Sequence, residues 1–197
     1  MVKSLMTTVV CCVTLLLLLA GCAADPLNIA EALQLKEGEK IYTACNLWYE
    51  DPEKIDCRNI QKGTFIPVGT EIIPLEECSV EKIAFKDKKG KKYVICFRED
   101  DRLCSAADYA GYTFTVKSRA EQLKNIPKAI QARILRGEVV PGMNSAHVQM
   151  AYGLPPAIRT PDLRNESWLY FINDADTVRV VFRGGIVRSV LNFNETR

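Results

Sequence analysis

Apolar and polar positions divide this 197-residue chain into stretches with different periods. Residues 9–20 are almost continuously apolar behind one early cation, Lys3. Residues 27–35 place Leu27 with Ala30, and Ile29 with Leu33, at the spacing of one short helix. From residue 38 to about 115 the pattern is β: short aromatic or branched runs at 40–43, 46–49, 71–75, 80–85 and 93–97, with a turn at 64–70. The polar, glycine-containing loop at 86–92 predicts a hairpin. A polar run of helix-forming residues at 118–124 ends at Asn125-Ile126-Pro127.

The pattern then changes period. Residues 127–136 predict a helix, with Pro127 at its start, Ile130, Ile134 and Leu135 on its apolar face, and Gly137 as its C-cap. A second helix is expected over 144–152, capped by Asn144 or Ser145 and stopped by Gly153 and Leu154-Pro155-Pro156. Three strands follow at 167–172, 177–182 and 186–193, joined by turns at 173–176 and 183–185. The expected class is α+β: a C-terminal ααβββ unit, two helices on a three-stranded antiparallel sheet, preceded by a small cysteine-rich all-β domain. For that domain an SH3-like barrel or a sandwich fits, and the Val68-Gly69-Thr70 turn resembles SH3-like modules. Expected boundaries are 1–21 for a signal peptide, 22–37 for a lipid anchor and helical linker, 38–117 for the β domain and 118–197 for the C-terminal domain.

Composition narrows the class without naming a function. Side chains are 48% hydrophobic and 25% charged, and 26 basic against 24 acidic residues leave a net charge of +2. That excludes a disordered chain and shows no electrostatic footprint for nucleic acid. The leading apolar stretch is shorter than the roughly 20 residues a membrane-spanning helix needs, and has the flanks of a secretory signal. It ends in Leu19-Ala20-Gly21-Cys22, which resembles the bacterial lipobox. The resemblance implies cleavage before Cys22, a lipid on its sulfur, and anchoring in a membrane by more than one acyl chain. Residue 23 is Ala and not Asp, which in enteric bacteria implies the outer membrane, with the folded part facing the periplasm. The alternative is an ordinary secretion signal beside an incidental cysteine.

Of eight cysteines, Cys11 and Cys12 fall in the signal and Cys22 is assigned to lipid. Cys45, Cys57, Cys78, Cys96 and Cys104 remain. An oxidising compartment permits disulfides among them, and sequence alone does not choose the pairing. No C-x-x-C occurs and the single histidine, His147, is remote in the chain, so no metal site is expected.

The run Ile134-x-x-Gly137-x-Val139-x-x-Gly142-Met143-x-x-x-x-Val148, then Gly153-x-Pro155, Trp168-x-Tyr170 and Phe182 before a glycine turn, resembles the SmpA/OmlA (BamE-like) domain family. The resemblance spans residues 126–193. It implies an outer-membrane lipoprotein that supports envelope protein assembly, with the β-barrel assembly machinery as partner. The motif positions themselves are structural in character: Gly142 for a turn, Met143 as a plug between helix and sheet, and Trp168 and Tyr170 sharing one strand face.

Enzyme chemistry finds little support. No nucleophile elbow, P-loop, zinc-protease or dinucleotide motif is present. His147 sits inside an expected helix beside Val148, and Asp100-Asp101 and Asp174-x-Asp176 fall in expected loops. The expected function is therefore a non-enzymatic interaction or scaffold protein without cofactor. A peptidoglycan- or peptide-binding module using Tyr42, Trp48, Tyr49 and Phe65 is the alternative, and a hydrolase inhibitor is a third reading by fold analogy alone.

Overall fold

The computed structural model describes residues 27–97, 104–173 and 176–194. The signal segment, Cys22, Asp100-Asp101 and Asp174 lie outside the described residues. The chain enters through Leu27, whose N–H donates to the Cys78 carbonyl, and α1 (Ile29–Ala32), capped by the Asn28 side chain. Seven short strands follow: β1 (Ile41–Thr43), β2 (Leu47–Tyr49), β3 (Ile55–Asp56), β4 (Thr64–Ile66), β5 (Glu71–Pro74), β6 (Lys82–Asp87) and β7 (Lys92–Cys96). Next come α2 (Ala106–Thr113), β8 (Phe114–Thr115), α3 (Arg119–Leu123), α4 (Lys128–Ile134) and α5 (Ser145–Tyr152). The chain closes with β9 (Ser167–Phe171), β10 (Asp176–Arg183) and β11 (Ile186–Asn194).

The α+β class holds. A six-stranded sheet runs β3-β7-β6-β5-β1-β8, antiparallel except for the parallel β3–β7 pair, and β2 pairs with β4 apart from it. Its core gathers Ile41, Ile72, Ile83, Phe85, Ile95 and Phe114, with Ile29 of α1. The β6–β7 hairpin turns where expected: the Asp87 carboxylate accepts the N–H groups of Lys89 and Lys91 at 2.9 Å, and Gly90 takes φ +83°. The lysines around that tip are drawn into local pairs. Lys88 meets Glu71 at 2.7 Å, Lys92 meets Glu77 at 2.8 Å, and Lys91 lies over the Tyr49 and Tyr93 rings.

The expectation of an all-β domain over 38–117 needs correction, because residues 106–113 are helical. Ser105 caps α2 by accepting the Asp108 N–H at 3.0 Å, and Tyr109, Ala110 and Thr113 form its buried side. Burial of a face at i, i+1 and i+4 outweighs the weak helix propensity of the Tyr, Gly and Thr residues in that stretch. The helices are few, and α2 to α5 fall in the chain ahead of the C-terminal sheet and after most of the first one.

The C-terminal sheet is a meander ordered β11-β10-β9, with one irregularity between Val181 and Phe182. A second core joins Ile134, Met143, Val148 and Ala151 to Trp168, Tyr170, Val180 and Phe182. Val68, from the turn before β5, belongs to this second core and is fully buried in it.

Two buried asparagines stitch the cysteine-bearing stretch to the C-terminal stretch. The Asn46 amide nitrogen donates to the carbonyls of Ile134 at 2.7 Å and Ala151 at 3.1 Å, and its oxygen accepts the Val68 N–H at 2.9 Å. The Asn59 amide donates to the carbonyls of Asn46 and Tyr152, and its oxygen accepts the Trp48 N–H. Ile134, Ala151 and Tyr152 lie in the last turns of α4 and α5, where carbonyls have no partner within the helix. Both asparagines supply those partners from across the fold.

Candidate interaction surface

Most of the residues singled out by the family resemblance converge on the second core. Met143, Val148, Trp168, Tyr170 and Phe182 are buried together, with the Trp168 and Phe182 rings 4.7 Å apart. Tyr170 donates its hydroxyl to the Gly153 carbonyl at 3.2 Å, and burial holds that phenol well above its ordinary pKa. Trp168 donates its indole N–H to the Leu163 carbonyl. Gly137 ends α4 at φ +66°, and a Cβ there would lie 2.5 Å from the Trp48 ring. At Gly153, φ +77°, a Cβ would meet the Asn59 amide. Gly142 has φ +93° with open space around it, and its N–H reaches the Val187 carbonyl at 2.9 Å. Only the turn conformation demands glycine at 142, whereas 137 and 153 also need the room.

His147 serves the helix it begins. Its N–H donates to the Asn144 side chain at 2.9 Å, and its Nδ1 accepts the Asn144 N–H at 3.3 Å. A ring nitrogen that accepts is unprotonated, and partial burial lowers the pKa below 6.5. This is a reciprocal cap in which an imidazole takes the part usually played by Glu or Gln.

The feature with the character of a binding surface is an apolar groove of about 280 Å³. One wall is α2 and its approach: Phe97, Cys104, Tyr109 and Tyr112, with Cys57 behind. The facing wall is the proline-rich loop after α5, where Pro155 and Pro156 cannot continue the helix and a turn follows from the Pro156 carbonyl to the N–H groups of Arg159 and Thr160. Buried Thr160 anchors this loop by accepting the Leu169 N–H on its hydroxyl at 3.0 Å. Tyr112, Ile158 and Leu163 rim the groove and are 53%, 59% and 38% exposed. These three large apolar side chains stay partly in water around one depression. At the inner end, the Arg58 guanidinium is forked onto Asp56 and lies 5.3 Å from the Phe171 ring.

Sequence reasoning put Pro155 among the motif residues but passed over Tyr112, Ile158 and Leu163. The signal available was Leu154-Pro155-Pro156-Ala157-Ile158, an apolar run that prolines keep out of any helix or central strand.

The five cysteines are spread through the first half, and none is bridged. Cys45 is enclosed, with its thiol pushed up to about 12 by burial. Cys78 exchanges weak hydrogen bonds with the Ala84 backbone, and burial raises its thiol as well. Partial desolvation also raises Cys96, and it raises Cys104 although that residue is exposed. Among the described residues no group of three or more His, Cys, Asp or Glu side chains is placed to hold a metal ion.

A second depression, of about 320 Å³, is lined by Trp48, Tyr49 and a mixed set of charged groups that includes Lys54, Asp51 and Asp56. The Trp48 indole N–H is buried and meets no acceptor among the described residues. Phe65, named beside Trp48 in the sequence reading, packs on that ring at 4.7 Å.

Compared with protein-family models, curated proteins and solved structures, the chain matches none.

Proposed function

We propose that this is a lipid-anchored protein of the bacterial outer membrane, facing the periplasm, that acts as a non-enzymatic interaction subunit in envelope protein assembly. One observation carries the reading: α4 and α5 pack on the β9–β11 meander around Met143, Val148, Trp168, Tyr170 and Phe182. The SmpA/OmlA resemblance implies an ααβββ arrangement with these signature residues in its core, and this packing supports it. The groove rimmed by Tyr112, Ile158 and Leu163 is the surface through which such a subunit would hold a partner, and the β-barrel assembly machinery is the partner the resemblance implies. Cys22 would carry the anchor.

The test is affinity purification from gently solubilised membranes of cells making the wild-type chain and the Cys22→Ala and Ile158→Asp variants. Recovery of the barrel-assembly machinery with the wild type, lost on Cys22→Ala and weakened on Ile158→Asp, supports the reading. Wild-type recovery of no envelope partner above background rejects it.

A second reading is favoured by the buried, unpartnered Trp48 indole N–H beside a charged depression. An envelope glycan or peptide would supply an acceptor there, which is the peptidoglycan-binding alternative. Co-sedimentation of the wild type with purified cell wall, lost on Trp48→Phe, would promote it over the first.

A further inference from the structure

Two of the five thiols open on the same cavity. Cys57 follows β3 directly, and its N–H donates to the Cys96 carbonyl at 3.2 Å, which extends the parallel β3–β7 ladder by one residue. In that ladder Asp56 stands opposite Cys96, so Cys57 falls on the other face, the side of Phe97. Phe97 stacks edge-on against Tyr109 of α2 at 5.0 Å. Cys104 stands just before Ser105, the residue that caps α2. Cys57, Phe97, Tyr109 and Cys104 therefore line one side of the groove.

The other three cysteines are placed differently. Cys45 is buried and does not line the groove. The Cys78 sulfur is held by the Ala84 N–H at 3.4 Å, at the far end of the β5–β6 connection. Cys96 shares its face with Asp56 and Lys82, its ladder partners. Cys104 is exposed, so an oxidant can reach it from solvent.

We propose that Cys57 and Cys104 are a disulfide-forming pair, and that their oxidation ties the start of α2 to the end of β3 along the groove wall. Each thiol gives up its proton, and together they give up two electrons to the disulfide of an oxidant. One S–S bond forms in the protein, one S–S bond breaks in the oxidant, and the oxidant leaves as two thiols. A bridge between residues 57 and 104 closes a loop that contains β4 to β7, which stabilises the fold chiefly by restricting the unfolded chain. It also fixes the shape of that wall, so the redox state of this pair sets the surface that a partner in the groove would meet. The proposal rests on the envelope reading for one thing only, the supply of oxidant.

The experiment uses the full chain purified from cells after its thiols have been trapped by alkylation, and a second sample reduced and then incubated with oxidised glutathione. Both are digested without reductant and mapped by mass spectrometry. The expected result in the glutathione sample is one linked peptide pair holding Cys57 and Cys104. It is lost in Cys57→Ser and Cys104→Ser and kept in Cys45→Ser, Cys78→Ser and Cys96→Ser. The oxidised wild type should melt roughly 5–10 °C above the reduced form, with no such shift in Cys104→Ser. Full alkylation of both thiols after oxidation, or Cys57 joined to a different cysteine, overturns the proposal. A bridge that forms with glutathione but is absent from the cell-trapped sample upholds the pairing and counts against the envelope reading.

Discussion

Replacing Asn46 with alanine removes a side chain that is fully buried and fully satisfied. Its amide nitrogen serves the Ile134 and Ala151 carbonyls, and its oxygen serves the Val68 N–H. All three partners are left in the seam between the two cores. A buried polar group stripped of its partner costs about 1–3 kcal/mol. Water entering the small void relieves part of this, so the expected loss is about 3–5 kcal/mol, a large share of the 5–15 kcal/mol that holds a typical domain together. The assay is equilibrium urea unfolding of the purified full chain, followed by the fluorescence of its two tryptophans, one in each half. A drop in midpoint at unchanged slope reads the loss directly. Asn46→Asp sharpens the test, because its carboxylate keeps an acceptor for Val68 but turns a second acceptor toward two helix-end carbonyls. The folded state then favours the protonated acid, so its pKa rises above the unfolded value. The stability of this variant, relative to wild type, is greatest at low pH and is lost as pH rises through that raised value. A loss below about 1 kcal/mol for Asn46→Ala, or no pH dependence in the Asn46→Asp difference, would refute the keystone role.

Gly137→Ala should cost about 2–4 kcal/mol, since the new methyl would lie 2.5 Å from the Trp48 ring at a φ of +66°. Gly90→Ala has a similar backbone, φ +83°, in open space and should cost only about 1 kcal/mol in the same melt, so equal losses would discount the clash. His147 has a pKa lowered by burial and accepts a hydrogen bond at Nδ1, so it contributes stability that is present above its unfolded value of 6.5. That contribution falls as pH drops through 6.5 toward the lower folded value; melting between pH 7.5 and 5 should show a slope that His147→Gln loses.

Local chemistry made much of the second half legible. Asn144 and Gly153 bound α5 as their types suggested, and the alternation of Trp168, Tyr170, Val178, Val180 and Phe182 put one sheet face into the core. The β6–β7 hairpin followed from its charged glycine loop. What escaped depends on distant partners. Ser105 and Asp108 carry the start of a helix, but short strands on either side hid it. Residues 55–56 become a strand only because β7 offers an edge to pair with. Asn46 reads as the polar first residue of a short β run until chain 88 and 105 residues further on arrives beside it. The groove was illegible for the same reason, since its two walls come from α2 and from the loop after α5.

The stitching by Asn46 and Asn59 also dictates an order of events as the polypeptide is made. Residues 41–97 carry nearly all of the six-stranded sheet, yet the Asn46 amide finds both its acceptors, and the Asn59 amide one of its two, in helices that end at residues 134 and 152. Until those helices emerge, the first half holds donors that water must serve, and Val68 has no second core to enter. The sheet therefore waits for its neighbour. As the chain is made, the emerging first half is not yet a finished unit, and the closing of α4 and α5 over both asparagines completes it.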